Sequence, residues 1–322
     1  MTERSGIICA GNWIVDLVHG VESWPDESDL VRITAQTRGV GGGAANVIAA
    51  LARLQTGLPL WPMGAVGDDE YAAFIRTECA GLGLPDTLAA KPGVPTAHTH
   101  VMSVAGRSRT FFYQGGANDV LGAADFPAGT FRDTPARMFY LGYLTLMAEM
   151  DRLTPDGTQA AKVLARARAA GLITAVDLVS GQTSDFAAIV AAAAPHIDYL
   201  ILNEVEAARA TGASDSADLG QMAADLLALG VTGAVVVHSA EQAVWCGADG
   251  TNAEAHVTPL RRDQIVSHLG AGDAFCAGLL YAIHEGWPPA RALGLARAVA
   301  RESLRGMTAT EAIPKLGQLE GI

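Results

Sequence analysis

The sequence predicts an α/β protein with a doubly wound, mostly parallel sheet, helices on both faces, and a small β-sheet lid. Three observations predict it. From about residue 136, apolar strand-like runs alternate with segments of helical spacing, which implies βαβ units. The N-terminal part is instead rich in strands that break this alternation. Third, 322 residues with 50% hydrophobic and 17% charged content allow one large α/β domain or two ordinary ones, and no low-complexity linker divides them.

The elements follow in order. "GIICAGNWIVDLV", residues 6–18, reads as a buried first strand. "LVRITAQT", residues 30–37, and "AHTHVMSVAGRSRTFFYQ", residues 97–114, are rich in Thr, Val and Phe and read as strands and a hairpin, with Gly106 in its turn. Between them "GGGAANVIAALARL", residues 41–54, carries helical spacing at Val47, Ile48, Leu51 and Leu54. "RMFYLGYL", "LITAVDL", "IDYLILN" and "TGAVVVHS" then read as strands. The segments "DGTQAAKVLARARAAG", "FAAIVAAAAPH" and "ADLGQMAADLLALG" read as the helices between them. The chain is thus one domain over 1–322, with about 12–38 and 95–118 projecting as the lid.

Net charge is −12 and Lys91, Lys162 and Lys315 are scattered. No basic patch suits nucleic acid or an anionic membrane. Cys9, Cys79, Cys246 and Cys276 lack CxxC spacing and read as small buried residues in a reducing compartment. No signal-peptide pattern or membrane-length apolar run occurs, so a cytoplasmic protein is expected.

The chemistry concentrates in "LGAGDAFCAGLL", residues 269–280. Gly270, Ala271 and Gly272 run into Asp273, where an apolar helix begins. Backbone N–H groups at a helix start lack intrahelical partners and carry the positive end of the dipole. Glycines there let a phosphate approach closely. The structural alternative is that Asp273 is an N-cap and the glycines a turn. "LILNEVEA" ends a strand at Asn203 and places Glu206 one helical turn on. That pair reads either as a cap followed by a surface acid or as polar groups facing a metal-bound phosphate at the carboxyl ends of parallel strands. Asp16 and Asp177 follow strands and suit a polyhydroxy ligand, Asp177 equally a cap. His98 and His100 alternate on one strand and read as lid-surface residues rather than metal ligands. The match Gly39-x-Gly41-x-x-Ala44 to a dinucleotide fingerprint lacks the preceding core strand and the following acid. No GxxxxGK[ST], GxSxG or HExxH occurs.

"GVGGGAANVIAALARL" and "LGAGDAFCAGLLYAI", with "GAVGDD", "RTFFYQGGAND" and the Asn-x-x-Glu of Asn203 and Glu206 between them, resemble the ribokinase-like (PfkB) carbohydrate kinases over nearly the whole chain. The resemblance implies ATP-dependent phosphoryl transfer to a hydroxyl, usually a primary alcohol of a sugar or nucleoside. Carried over, Asp273 is the base, and the N–H groups of Gly270, Ala271, Gly272 and Asp273 form the anion hole. Asn203 and Glu206 order the phosphates and the water shell of Mg2+. Asp16, Gly42, Gly43 and Asn46 hold the acceptor. His238 and Ala240 stand in the nucleotide loop.

The chain departs from the family pattern in three places. Ser267 and His268 replace the usual Asp-Thr of a segment that often helps bind K+, so little potassium dependence is expected. His238, Ala240 and Ala243 replace the Thr-x-Gly-x-x-Gly of the nucleotide loop. If those glycines have positive φ or let adenine approach closely, alanine there is costly and nucleotide preference differs. "VDLVSG" lacks the Asn and Arg that often follow the aspartate, which disfavours a carboxylated sugar acid, although Arg107 and Arg109 in the lid remain available. The alternatives are a nucleoside kinase, a catalytically silent binding protein on the same fold, and an oxidoreductase resting on the glycine fingerprint alone. The lid strands are too few to bury their own apolar faces, so a homodimer through the lid is expected.

Overall fold

The computed structural model describes residues 4–104, 107, 109–181, 183–214, 217–256 and 259–319. β1 (Ile7–Gly11) starts the core, and β2 (Ile14–Val21) and β3 (Ile33–Gly41) leave it before α1 (Gly43–Arg53) returns. β4 (Leu60–Met63), β5 (Ala65–Val66), α2 (Glu70–Gly81) and β6 (Ala89–Ala90) follow. β7 (His98–Val104) and β8 (Thr110–Gln114) form a hairpin whose expected turn residue, Gly106, lies outside the described residues. After α3 (Ala128–Arg132) come β9 (Met138–Leu144), α4 (Ala148–Asp151), α5 (Gln159–Ala169) and β10 (Ile173–Leu178). α6 (Phe186–Ala193), β11 (Tyr199–Asn203), α7 (Glu204–Thr211) and α8 (Leu219–Leu227) lead to β12 (Ala234–His238), β13 (Gln242–Gly247) and β14 (Asn252–His256). α9 (Ala271–His284) and α10 (Pro289–Ser303) close the core.

The central sheet has the order β14-β13-β12-β11-β10-β9-β1-β4. Its six strands from β12 to β4 are parallel, and β13 and β14 are antiparallel additions at one edge. Each central strand sends alternate side chains into two cores, as a pleated strand must. Ile7, Cys9, Met138, Tyr140 and Ile201 join α1, α9 and α10 on one face. Ile8, Phe139, Leu141, Val176 and Val235 join α5, α6 and α8 on the other. Burial on both faces explains why these strands read as continuous apolar runs.

The second sheet has the order β3-β2-β7-β8. It corrects one element of the sequence reading. Residues 6–18 are two strands in two sheets, separated at Asn12 and Trp13. Gly11 makes the break at φ 128, with its backbone against the carbonyl of Gly142. The buried–half-buried alternation of β2 differs from the full burial of β1, but both sequences are apolar enough to fuse into one run. β3 also extends three residues past Arg38, so the glycines of the fingerprint match pair with β2 in the small sheet. Three cysteines are buried as expected, whereas Cys246 is half-buried, because it lies with Gln242 and Val244 on the less covered face of β13.

α9 and α10 pack closely at Gly278. A Cβ there would lie 2.9 Å from Ala296 Cα and 3.0 Å from Val299 Cγ2. Gly278→Val should therefore overpack this contact and lower unfolding free energy by about 1–3 kcal/mol in urea denaturation. Unchanged stability would show that the two helices separate freely.

Candidate active site

The carboxyl ends of β9, β10, β11 and β12 meet the N-terminus of α9. A cavity of about 250 Å³ lies there, lined by Asp177, Asn203, Glu206, His238, Asp273 and the Gly270–Gly272 backbone. Ligands of open parallel sheets bind at such carboxyl ends.

The helix start settles one alternative. The N-cap of α9 is Gly270, at φ 73, and it has no side-chain cap. A Cβ on Gly270 would strike Ala309, so glycine is required there twice over. The first intrahelical bond runs from Ala274 N to Gly270 O at 2.8 Å. The N–H groups of Gly270, Ala271, Gly272 and Asp273 thus precede the helix's own bonding and have no acceptor among the described residues. Asp273 sits in the first turn and caps nothing. The alternative that it is an N-cap is overturned, because its carboxylate turns away from the helix end toward α1 and β9.

Asp273 is 5% exposed. Its Oδ2 accepts from Asn46 Nδ2 at 2.8 Å and from the Tyr143 hydroxyl at 3.1 Å. Burial pushes its carboxyl up to about 7; the Asn46 and Tyr143 donors pull down, and Glu206 and Asp16 push up. Asn46, expected to face an acceptor, bonds Asp273 in this structure. It lies in the first turn of α1, whose N-cap is Gly42 at φ 96 against the Asn12 carbonyl. Gly43 is glycine for packing: its Cβ would stand 2.5 Å from the Tyr143 ring. Asp16, on β2 opposite Gly39, lies over Gly41, where a Cβ would strike its carboxylate. Its carboxyl is raised to about 6 by burial, opposed by a Thr99 hydrogen bond and by Arg109.

Asn203 and Glu206 satisfy part of both readings. Asn203 caps α7 through Oδ1 to Glu206 N at 2.9 Å, and Glu206 Oε2 accepts from Asn203 N at 3.0 Å, which is a capping box. Glu206 is nonetheless no surface acid. It is 4% exposed, bonded to Ser180 Oγ at 3.1 Å, and lines the cavity. Asp177 is buried and accepts from Tyr143 N at 2.7 Å. Burial and then Asp273 hold its carboxyl well above the usual range.

A second cavity, of about 430 Å³, opens beside the first and is lined by His238, Ala240, Ala243, Phe275, Ala300 and Arg297. His238 stacks on Phe275 with centroids 4.4 Å apart, and desolvation pushes its imidazole down to about 4. It therefore faces this space neutral. Neither Ala240 nor Ala243 has positive φ, and Ala243 is an ordinary β13 residue paired with His238. The alanines carry no backbone strain. His268 lines both cavities, and Ser267 Oγ accepts from Leu269 N at 3.1 Å within the preceding turn.

His98 and His100 share β7 with ring centroids 5.4 Å apart, and both are half-buried rather than on the surface. Among the described residues no group of three His, Cys, Asp or Glu is arranged to hold a metal. A divalent ion carried with phosphates needs no such cage. The buried Glu206 carboxylate at the cavity wall fits one bound through water. Among the described residues no helix is long and apolar enough to cross a membrane.

Sequence reasoning missed Tyr143 and Arg297. Tyr143 is the penultimate residue of β9, in a run without any motif, and only in the structure does its φ of 57 mark it. Arg297 is one arginine among several on α10. It makes no hydrogen bond or ion pair among the described residues, and its Nε is buried.

A model of the pfkB family carbohydrate kinases matches residues 4–316. Aminoimidazole riboside kinase of Salmonella typhimurium is 27% identical over 251 residues, covering 76% of this chain and 73% of that protein. Ribokinase of Arabidopsis thaliana, solved with ribose and ATP, superposes with a TM-score of 0.80 at 24% identity, over 98% of this chain and 97% of that one. A nucleoside kinase of Methanocaldococcus jannaschii superposes at 0.74 and 16% identity, over 98% and 97%. These structures show the shared fold: a mostly parallel central sheet with helices and a separate small sheet.

The raised Asp273 carboxyl makes a stability prediction. A carboxyl at about 7 in the folded state, against an ordinary 3.8, holds a proton that the unfolded chain has released. That stabilisation is full below about pH 4 and is lost as pH rises through 7. His238, pushed down, acts oppositely, but only below its ordinary range near 6.5. Between pH 6.5 and 8 the ligand-free protein should lose roughly 1 kcal/mol through Asp273. Asp273→Asn should lose correspondingly less in urea denaturation. Equal losses would place Asp273's ionisation elsewhere.

Proposed function

The chain belongs to the pfkB family of carbohydrate kinases, and from that premise we propose that it transfers the γ-phosphoryl group of ATP to a primary hydroxyl of a small sugar, with Asp273 as base. One observation carries the reading: a buried carboxylate, raised to about 7, stands in the first turn of a helix whose leading N–H groups have no acceptor among the described residues. A base works best when its pKa lies near the operating pH.

In this reading Asp273 takes the acceptor's proton as its oxygen attacks the γ-phosphorus. The N–H groups of Gly270, Ala271, Gly272 and Asp273 receive the charge that builds on the transferred group. Asp16 orients the acceptor through its hydroxyls, and Gly42, Gly43 and Asn46 shape that side of the pocket. Asn203 and Glu206 order the phosphates, His238 and Ala240 border the nucleotide, and the smooth alanine hairpin leaves room for a base. Mg2+, when bound with ATP through Glu206-ordered water, supplies charge neutralisation. Catalysis is then positioning and electrostatics, as phosphoryl transfer requires. Little potassium dependence is expected in this scheme, since Ser267 and His268 stand where the family's Asp-Thr would be.

A ribosidic acceptor is the second reading, favoured by the likeness to aminoimidazole riboside kinase. A silent binding protein is disfavoured because Asp273, Asn46 and the free helix start are all present. The small sheet, read as a lid over the acceptor, leaves Phe111 and Phe112 about half exposed, with Trp24 stacked on Phe112. As consecutive strand residues they leave apolar surface on both faces of the small sheet, and such surface suits a second copy of the chain.

A screen of sugars and nucleosides with ATP identifies the acceptor. On that acceptor Asp273→Asn should lower turnover by roughly two to four powers of ten, with ATP affinity and melting point nearly kept. Near-normal turnover in a folded variant would reject Asp273 as base. Light scattering at micromolar concentration should give twice the 33.3 kDa chain mass, and Phe111→Asp should shift it toward one. A wild-type monomer would remove the lid-mediated dimer.

A further inference from the structure

Tyr143 stands where β9 ends, with φ 57; Thr145, two residues on, has φ 85. Such conformations cost an ordinary residue on the order of 1–3 kcal/mol and persist only where the surroundings over-determine them. Here they do. Asp177 Oδ1 accepts from Tyr143 N at 2.7 Å. Asp151, itself buried, accepts from Thr145 N at 3.1 Å and from Met147 N at 2.6 Å. The Tyr143 ring lies on Gly43, which has no side chain to displace it. Two buried acids and one glycine thus hold a strained turn whose product is the position of a phenol.

That phenol donates to Asp273 Oδ2, the oxygen that Asn46 Nδ2 also bonds. Oδ2 therefore carries two donors, and the other oxygen has no donor among the described residues. We propose that Tyr143 is a positioning residue for the Asp273 base, fixing Oδ2 so that Oδ1 is the atom that takes the acceptor proton. The proposal rests on the reading of Asp273 as base. The balance is simple. The acceptor O–H bond breaks and its proton goes to Oδ1. The freed oxygen forms a bond to the γ-phosphorus. The bond from that phosphorus to its bridging oxygen breaks, and the electron pair leaves with ADP. The Tyr143 proton stays on its phenol, which burial and the neighbouring carboxylates keep protonated well beyond the usual tyrosine range.

A second consequence concerns ionisation. Asp273 faces Asp16 from β2, Asp177 from β10, Glu206 from α7, Tyr140 and Tyr143 from β9, and Cys276 within its own helix. His238 and His268 line the same cavity. Among these neighbours the carboxylates push its proton on, whereas Tyr143 and Asn46 stabilise the ionised form. Tyr143 thus keeps a base usable near neutrality within an acidic cluster that would otherwise hold it protonated.

The test needs no acceptor. Protein labelled with [13Cγ]aspartate is titrated by NMR, and the Asp273 signal is assigned by its loss in Asp273→Asn. In Tyr143→Phe the Asp273 midpoint should move to higher pH by about one unit, since a hydrogen bond to a charged group is lost. Gly43→Ala, which pushes the ring aside without removing the hydroxyl, should move it the same way and serves if Tyr143→Phe does not fold. On the acceptor found by the screen, the acid limb of kcat/KM should follow the midpoint, with a roughly tenfold fall below pH 7. An unmoved Asp273 midpoint in either folded variant overturns the proposal. Loss of turnover in Asp273→Asn with an unmoved midpoint would overturn it alone, and normal turnover in Asp273→Asn would overturn the base reading beneath it.

Discussion

The constraint on which this structure depends is the burial of the Asp273 carboxylate without a cation beside it. Removing an ionised carboxyl from water costs several kcal/mol unless charge or hydrogen bonds replace the solvent. Among the described residues no lysine or arginine pairs with Asp273. The replacement is the Asn46 amide, the Tyr143 phenol and the positive end of α9. Each of these comes from a different part of the chain. Asn46 stands in the first turn of α1, Tyr143 at the end of β9, and the helix start is made by Gly270. The packing of α1 and α9 on one face of the sheet is therefore also the assembly of the carboxylate's surroundings.

The glycines are explained by the same constraint. Gly43 leaves space for the Tyr143 ring, Gly42 takes the positive φ that starts α1, and Gly270 does the same for α9 while lying against Ala309. A side chain at any of them would move a donor away from Asp273. The acids compound the cost. Asp16, Asp177 and Glu206 all add negative potential, and burial raises each carboxyl. A cavity built this way is poorly stable on its own terms and gains most from ligands that bring donors or metal ions. Stability has been spent on the site, as functional sites commonly require.

Much of the fold was legible because parallel strands buried on both faces leave long apolar runs, and helices leave their own period. The glycine-rich helix starts were legible for a local reason: positive φ and a free N-terminus need particular residues in particular order. The break at Asn12 and Trp13 was not, because β1 and β2 are both apolar and only one glycine marks the change of sheet. Tyr143 was illegible for a stronger reason. Its role lies in contacts with residues 43, 177 and 273, and no local pattern encodes such separation. Asn203 and Glu206 were legible as a pair but ambiguous in role, since a capping box and a phosphate-facing pair use the same spacing.

On the side of the site proposed to take the nucleotide, a departure from the family pattern is absorbed. Ala240 and Ala243 require no positive φ, so the loss of glycine there is conformationally neutral. What changes is chemistry. His238, kept neutral by desolvation and stacked on Phe275, borders both cavities. Arg297 borders the larger one, with no acid or carbonyl engaged among the described residues. Arginine offers donors and no acceptor, so whatever part of a nucleotide lies against it must present acceptors. An unpaired, half-buried guanidinium in a chain of net charge −12 is costly when empty, and that cost falls when a ligand engages it. The two halves of the site are thus complementary in sign. In the proposed reading, carboxylates surround the end where the acceptor hydroxyl loses its proton, and helix N–H groups and an arginine line the way along which phosphate and base enter.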